Sequence, residues 1–174
     1  MIPANIMKGE RLYTLFTSMF MHGGIFHLAG NMLFLFVFGD NVEDNFGHGR
    51  YFVFYFLCGI AASAVHILSI TTTGGMTIPT VGASGAISGV LGAYILLYPR
   101  ARVLTLVFYF LVSIVRVPAF FFLGFWFIFQ LLAGFLEPSS GVAYWAHIGG
   151  FVAGMVLALI LRRKKTHYGY EYMS

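Results

Sequence analysis

Five stretches of this chain carry no Asp, Glu, Lys or Arg: Leu12–Gly39, Tyr51–Pro99, Val103–Val115, Val117–Leu136 and Pro138–Leu161. Charge-free apolar runs of this length are not buried by a water-soluble fold of this size; they match the thickness of a bilayer. The whole chain of 174 residues is 59% hydrophobic and 9% charged. In lipid every backbone N–H and C=O must be paired internally, which leaves helices or a closed barrel. The runs show no sustained period-two alternation, which argues against a porin-type barrel and for an all-α polytopic bundle.

Spans are predicted at about 24–46, 50–70, 84–98, 117–136 and 146–163. The third is short and ends at Pro99. Residues 71–83, rich in Thr, Gly and Pro, form a loop. Val103–Val115 is too short to span and suits an interfacial or re-entrant segment. The aromatics of Phe120–Phe129 suit a lipid-facing or packing surface. The chain is expected to be one membrane domain over 1–174, with an outer loop remnant at 1–23, a helical core at 24–163 and a tail at 164–174.

Charge supplies the orientation. Arg50, Arg100, Arg102, Arg116 and the cluster Arg162-Arg163-Lys164-Lys165 fall on one side, taken as cytoplasmic; only Lys8 and Arg11 lie opposite. The carboxyl terminus is therefore expected inside, in a plasma or inner membrane. The net charge of +4 reflects this asymmetry and implies no nucleic acid. Cys58 is the sole cysteine, so neither an intrachain disulfide nor a thiolate metal site is expected. The first twenty residues lack the basic start and compact apolar core of a cleavable signal.

Within this frame two polar residues share a depth. Ser84 lies 16 residues from Arg100, and His147 lies 15 residues from Arg162. Helical rise places each about 22–24 Å above its arginine, some ångströms below the outer surface. Stripes of small residues explain how they could meet: Gly85, Gly89 and Ala93 on one span, Gly150, Gly154 and Ala158 on the other. Such stripes let helix backbones approach closely in lipid.

A serine hydroxyl becomes a nucleophile when a base takes its proton, and histidine is a suitable base. None of the six acids (Glu10, Asp40, Glu43, Asp44, Glu137, Glu171) is expected mid-membrane in the outer half, so the reading is a Ser84–His147 dyad and not a triad. His27 and Asn31, four apart on one helix face, sit at the same depth, and the Ser84 N–H lies in a first helical turn. Together they could form an oxyanion hole. Interhelical hydrogen bonding is the ordinary role for such a His–Asn pair, and only the company of Ser84 and His147 reverses that weighting. His22 suits either support of the site or the membrane interface. His66 suits packing, and His48 and His167 the surface. No His-Glu-x-x-His pattern is present and no metal is expected.

These motifs resemble the rhomboid family of intramembrane serine proteases. The matching stretches are His22-Gly23-Gly24-Ile25-Phe26-His27-Leu28-Ala29-Gly30-Asn31, then Gly82-Ala83-Ser84-Gly85, then Ala146-His147-Ile148-Gly149-Gly150 with Gly154. The resemblance implies Ser84 as nucleophile, His147 as general base, and His27, Asn31, Gly82 and Ser84 as the oxyanion and substrate-binding region. It implies cleavage in or next to transmembrane segments of membrane-protein substrates, with no cofactor, at a site open to the outer face. It also matches Val103–Val115 to the connection before a helix whose movement is thought to admit substrate.

Two departures stand out. The chain begins within what corresponds to the family's long outer loop, so the first helix is expected to be absent; the loop's frequent Trp-Arg pair is replaced by Tyr13-Thr14. Ser88 stands where members often carry an aromatic stacked on the histidine ring. The alternative to a protease is an inactive rhomboid-like binding or adaptor protein, or a truncated fragment. A channel or transporter is remote, since no inverted repeat is evident.

Overall fold

The structure is a computed structural model that describes residues 1–108, 112–137 and 140–162. The basic cluster beyond Arg162 and the tail at 164–174 lie outside the described residues. Two short helices, α1 (Pro3–Met7) and α2 (Thr14–Thr17), precede the long ones. The long elements are α3 (Ile25–Phe46), α4 (His48–Thr73), α5 (Ser84–Leu97), α6 (Ala119–Leu136) and α7 (Tyr144–Leu161). Among the described residues, α3, α4, α6 and α7 are long and apolar enough to cross a membrane, and α5 is a shorter apolar helix.

Exposure agrees with a lipid solvent. Phe36, Phe125, Phe135 and Leu136 are all about 70% exposed or more on the outer faces of α3 and α6. In water these faces would form an apolar patch far larger than a soluble monomer carries. The molecule is a multi-pass membrane protein.

The short α5 is the hub. Residues Gly85 to Tyr94 are buried without interruption, as expected of a helix that is apolar all round. It packs against α7, α4 and α3, while α6 is held chiefly by α7. Glycines set the distances. A Cβ on Gly150 would strike the Gly85 carbonyl, one on Gly154 the Gly89 carbonyl, and one on Gly92 the Phe151 carbonyl. The small-residue stripes are thus the seam between α5 and α7, and Gly92 extends it. On its other side Gly89 abuts Cys58 of α4. Below the seam the core is Phe38, Phe46, Phe54, Val90, Leu91 and Leu123.

The segment after α5, expected as an interfacial or re-entrant stretch, has a secondary structure that this expectation did not specify. It forms an antiparallel hairpin of β1 (Arg102–Phe108) and β2 (Val112–Pro118), in register from Arg102↔Pro118 to Phe108↔Val112. Val103, Thr105, Val107, Val112, Ile114, Val115 and Val117 are β-branched and disfavour helix. Pairing the two halves also satisfies backbone groups in a stretch too short to span. The hairpin is clamped at its base, where Ala119 N–H donates to the Ala101 carbonyl at 2.7 Å and Phe120 N–H to the Pro99 carbonyl at 3.0 Å.

Candidate active site

A helix of 14 residues is about 21 Å long, shorter than a hydrocarbon core of about 30 Å. With its far end near Arg100, α5 therefore starts below the opposite surface, and Ser84 is its first residue. The loop 74–83 fills the missing height with polar backbone that lines a cavity. The cavity measures about 680 Å³ and is walled by Ser84, His147, His27, Asn31, His66 and Trp126, among others. No carboxylate is among the described residues that line it.

Ser84 Oγ lies 2.9 Å from His147 Nε2, across the α5–α7 seam. That is hydrogen-bond distance for a nucleophile and its base. The far side of the ring is also engaged: His147 Nδ1 lies 2.8 Å from Gln130 Oε1 of α6. Gln130 is 5% exposed. The Trp126 ring, one helical turn earlier, faces the imidazole at 6.1 Å and 36°. Ser88 does not take part. Its hydroxyl donates to the Ser84 carbonyl at 2.7 Å, one turn back along the same helix.

His27 and Asn31 face the same cavity from α3. Gly23 N–H donates to His27 Nδ1 at 3.3 Å. With Nδ1 accepting, the ring proton resides on Nε2, which makes Nε2–H a donor. That nitrogen lies beside Gly82: a Cβ there would sit 2.9 Å from it. Gly82 has φ +130°, a conformation rare for other residues, so glycine is required twice over. Its own N–H is already donated to the Ser18 carbonyl at 2.9 Å, so Gly82 contributes space rather than a donor. Asn31 is buried, and its amide Nδ2 has no protein partner. A buried unpartnered donor is costly, and one aimed into a cavity is available to a ligand.

The remaining histidines separate by environment. His22 presents its ring to the edge of His27 at 5.2 Å, with Nε2 buried and unpartnered. His66 Nε2 lies 3.2 Å from Thr80 Oγ1, a hydrogen bond that ties α4 to the loop 74–83. His48 pairs with Glu43 at 2.6 Å on the exposed turn between α3 and α4. His167 lies outside the described residues.

The residue that sequence reasoning passed over is Gln130. It is the one amide in the run Val117–Leu136, a signal in itself, because amides inside lipid are buried against a partner. It also lies 14 residues from Arg116, close to the 16 and 15 that separate Ser84 and His147 from their arginines.

Fold and site together define a polytopic helical membrane protein with a half-buried Ser–His pair in a largely apolar cavity. Residues 9–164 match the family model described as Rhomboid domain, and the chain belongs to that family. It is 33% identical to RHOMBOID-like protein 4 of Arabidopsis thaliana, over 95% of this chain and 38% of that protein. It is 28% identical to RHOMBOID-like protein 12, mitochondrial, of the same plant, over 97% of this chain and 52% of the relative. It is 33% identical to Rhomboid protease GluP of Bacillus subtilis (strain 168), over 92% of this chain and 28% of that protein. The chain thus spans about half or less of the length of these curated relatives.

Proposed function

We propose that this chain is an intramembrane serine endopeptidase that cleaves peptide bonds in or next to transmembrane segments. The observation that carries the reading is the 2.9 Å contact between Ser84 Oγ and His147 Nε2, made inside a cavity large enough for a peptide strand and water. Ser84 Oγ attacks the scissile carbonyl carbon while its proton passes to His147 Nε2. The carbonyl oxygen becomes an oxyanion beside the His27 Nε2–H, the Asn31 amide and the Ser84 N–H. Collapse of the intermediate breaks the C–N bond, and the imidazolium returns its proton to the leaving amine. Water then enters the cavity and attacks the acyl carbon while His147 takes its proton; the ester C–O bond breaks, the acid leaves, and His147 returns the proton to Ser84 Oγ.

Membership of a family that contains a named protease supports the reading. So does a donor set that protein groups do not already satisfy. The arginines at the end of α5 and α7 opposite Ser84 and His147 support an active site open to the non-cytoplasmic face. The deciding experiment is cleavage of a model transmembrane substrate by the purified chain in lipid, wild type beside Ser84→Ala. Cleavage lost in the variant alone supports the protease. Cleavage that persists in Ser84→Ala removes Ser84 from the reaction. A folded wild type that neither cleaves nor is labelled at Ser84 by a fluorophosphonate favours a binding protein.

A further inference from the structure

A Ser–His pair works only if the histidine ring is held in one orientation and one tautomer. Nε2 must carry the lone pair and point at Ser84. The Ser88 hydroxyl is committed to the Ser84 carbonyl and does not reach the ring. The other titratable groups turned toward this histidine are His27 on α3, His66 on α4 and Tyr144 on its own helix, whose ring lies edge-on at 6.4 Å. None is a carboxylate.

What does reach the ring comes from α6. Gln130 Oε1 is a pure acceptor, so at 2.8 Å it selects the imidazole with its proton on Nδ1. That tautomer leaves the Nε2 lone pair facing Ser84 Oγ at 2.9 Å. Trp126, four residues earlier on the same face of α6, limits the ring's tilt. One helix therefore restrains both the edge and the face of the base.

We propose that Gln130 is the positioning residue of His147, which completes a Ser84–His147–Gln130 relay in which a neutral amide takes the orienting place. The proposal rests on the protease reading for its catalytic consequence, though not for its geometry. The choice of an amide follows from the solvent. A carboxylate at this depth would need a charged partner to offset its desolvation, and no described residue of the cavity supplies a permanent one. A neutral carbonyl orients the ring at far lower cost. It gives up the full-charge stabilisation of the imidazolium, so the base is held in place more than it is strengthened. Orientation of the base also becomes conditional on α6 being seated against α7.

The test compares wild type, Gln130→Leu, Gln130→Met and Gln130→Glu, each with ¹⁵N-labelled histidine, in detergent and in lipid. Leu and Met keep approximate volume without an acceptor, and Met keeps the unbranched shape if Leu does not fold. Histidine ¹⁵N spectra read the tautomer independently of activity. The wild type is expected to show His147 protonated on Nδ1, and the apolar variants to lose that preference. With a transmembrane substrate the apolar variants are expected to lose about 10–100-fold in kcat with KM nearly unchanged. Gln130→Glu keeps an acceptor and is expected to recover most of kcat.

A wild-type His147 protonated on Nε2 would overturn the proposal. So would an apolar variant with wild-type kcat and tautomer. If the wild type does not cleave but its Nδ1–H tautomer depends on Gln130, the protease reading fails and the positioning role stands.

Discussion

Gly150 of α7 lies so close to the Gly85 carbonyl of α5 that no Cβ can stand between them. The contact involves the residue directly after Ser84 and the one three residues beyond His147, so the spacing of the two helices there sets the spacing of hydroxyl and imidazole. Lipid supplies no hydrophobic drive for helices to associate, and close backbone packing of this kind takes its place.

Gly150→Ala is expected to force α5 and α7 apart. The cost is about 1–3 kcal/mol, as for other overpacked interiors. Thermal unfolding in detergent would show it as a lowered midpoint, with cleavage reduced alongside. Gly124→Ala on α6 is the matched control. A Cβ there meets nothing within 4 Å, and alanine favours helix by about 0.5–1 kcal/mol. Its midpoint should rise or hold.

Asn31→Ala separates a binding group from a packing group. Its Nδ2 has no protein partner to lose, so stability should change by less than about 1 kcal/mol. Loss of an oxyanion donor should lower kcat by about 10²–10³-fold. Paired unfolding and kinetic measurements decide the matter; a large loss of stability with kcat intact would make Asn31 a structural residue.

Gly82→Ala meets two obstacles, the positive φ and the His27 ring 2.9 Å from the new Cβ. Strain of about 1–3 kcal/mol is expected. Because the displaced group is His27 Nε2, kcat should fall about tenfold or more even where the variant folds. Wild-type kcat in a folded Gly82→Ala protein would mean that His27 is no oxyanion donor.

Ser88→Ala should be nearly silent. The hydroxyl it removes is bonded back to the Ser84 carbonyl within the same helix, a contact that contributes little to helix stability. Cleavage within about threefold of wild type, and a stability change within about 0.5 kcal/mol, are expected. A large loss of kcat would show that Ser88 contributes to the base after all.

Much of the fold was legible because the bilayer imposes one dimension. Charge-free runs locate the spans, arginines mark one edge, and helical rise converts residue counts into depth. That is how Ser84 and His147 come to share a level in the sequence alone. The stripes of Gly85, Gly89, Gly150 and Gly154 also carry their meaning locally, since only small residues allow such contact. The hairpin at 102–118 was less legible. Its apolar length excludes a span, but the pairing of its two halves depends on a register that composition does not carry.

The sequence by itself determined the class of fold, the depth of each polar residue and the seam that joins α5 to α7, because hydropathy, helical rise and side-chain size are properties of each segment alone. The tertiary structure decided what stands beside what. The rotation of α6 about its own axis turns Gln130 toward His147 Nδ1. The bend at Gly23 fixes which nitrogen of His27 carries the proton. The path of loop 74–83 spends the Gly82 N–H on Ser18 and leaves Asn31 facing the cavity. Those outcomes depend on packing between helices distant in sequence, and no count along one segment contains them.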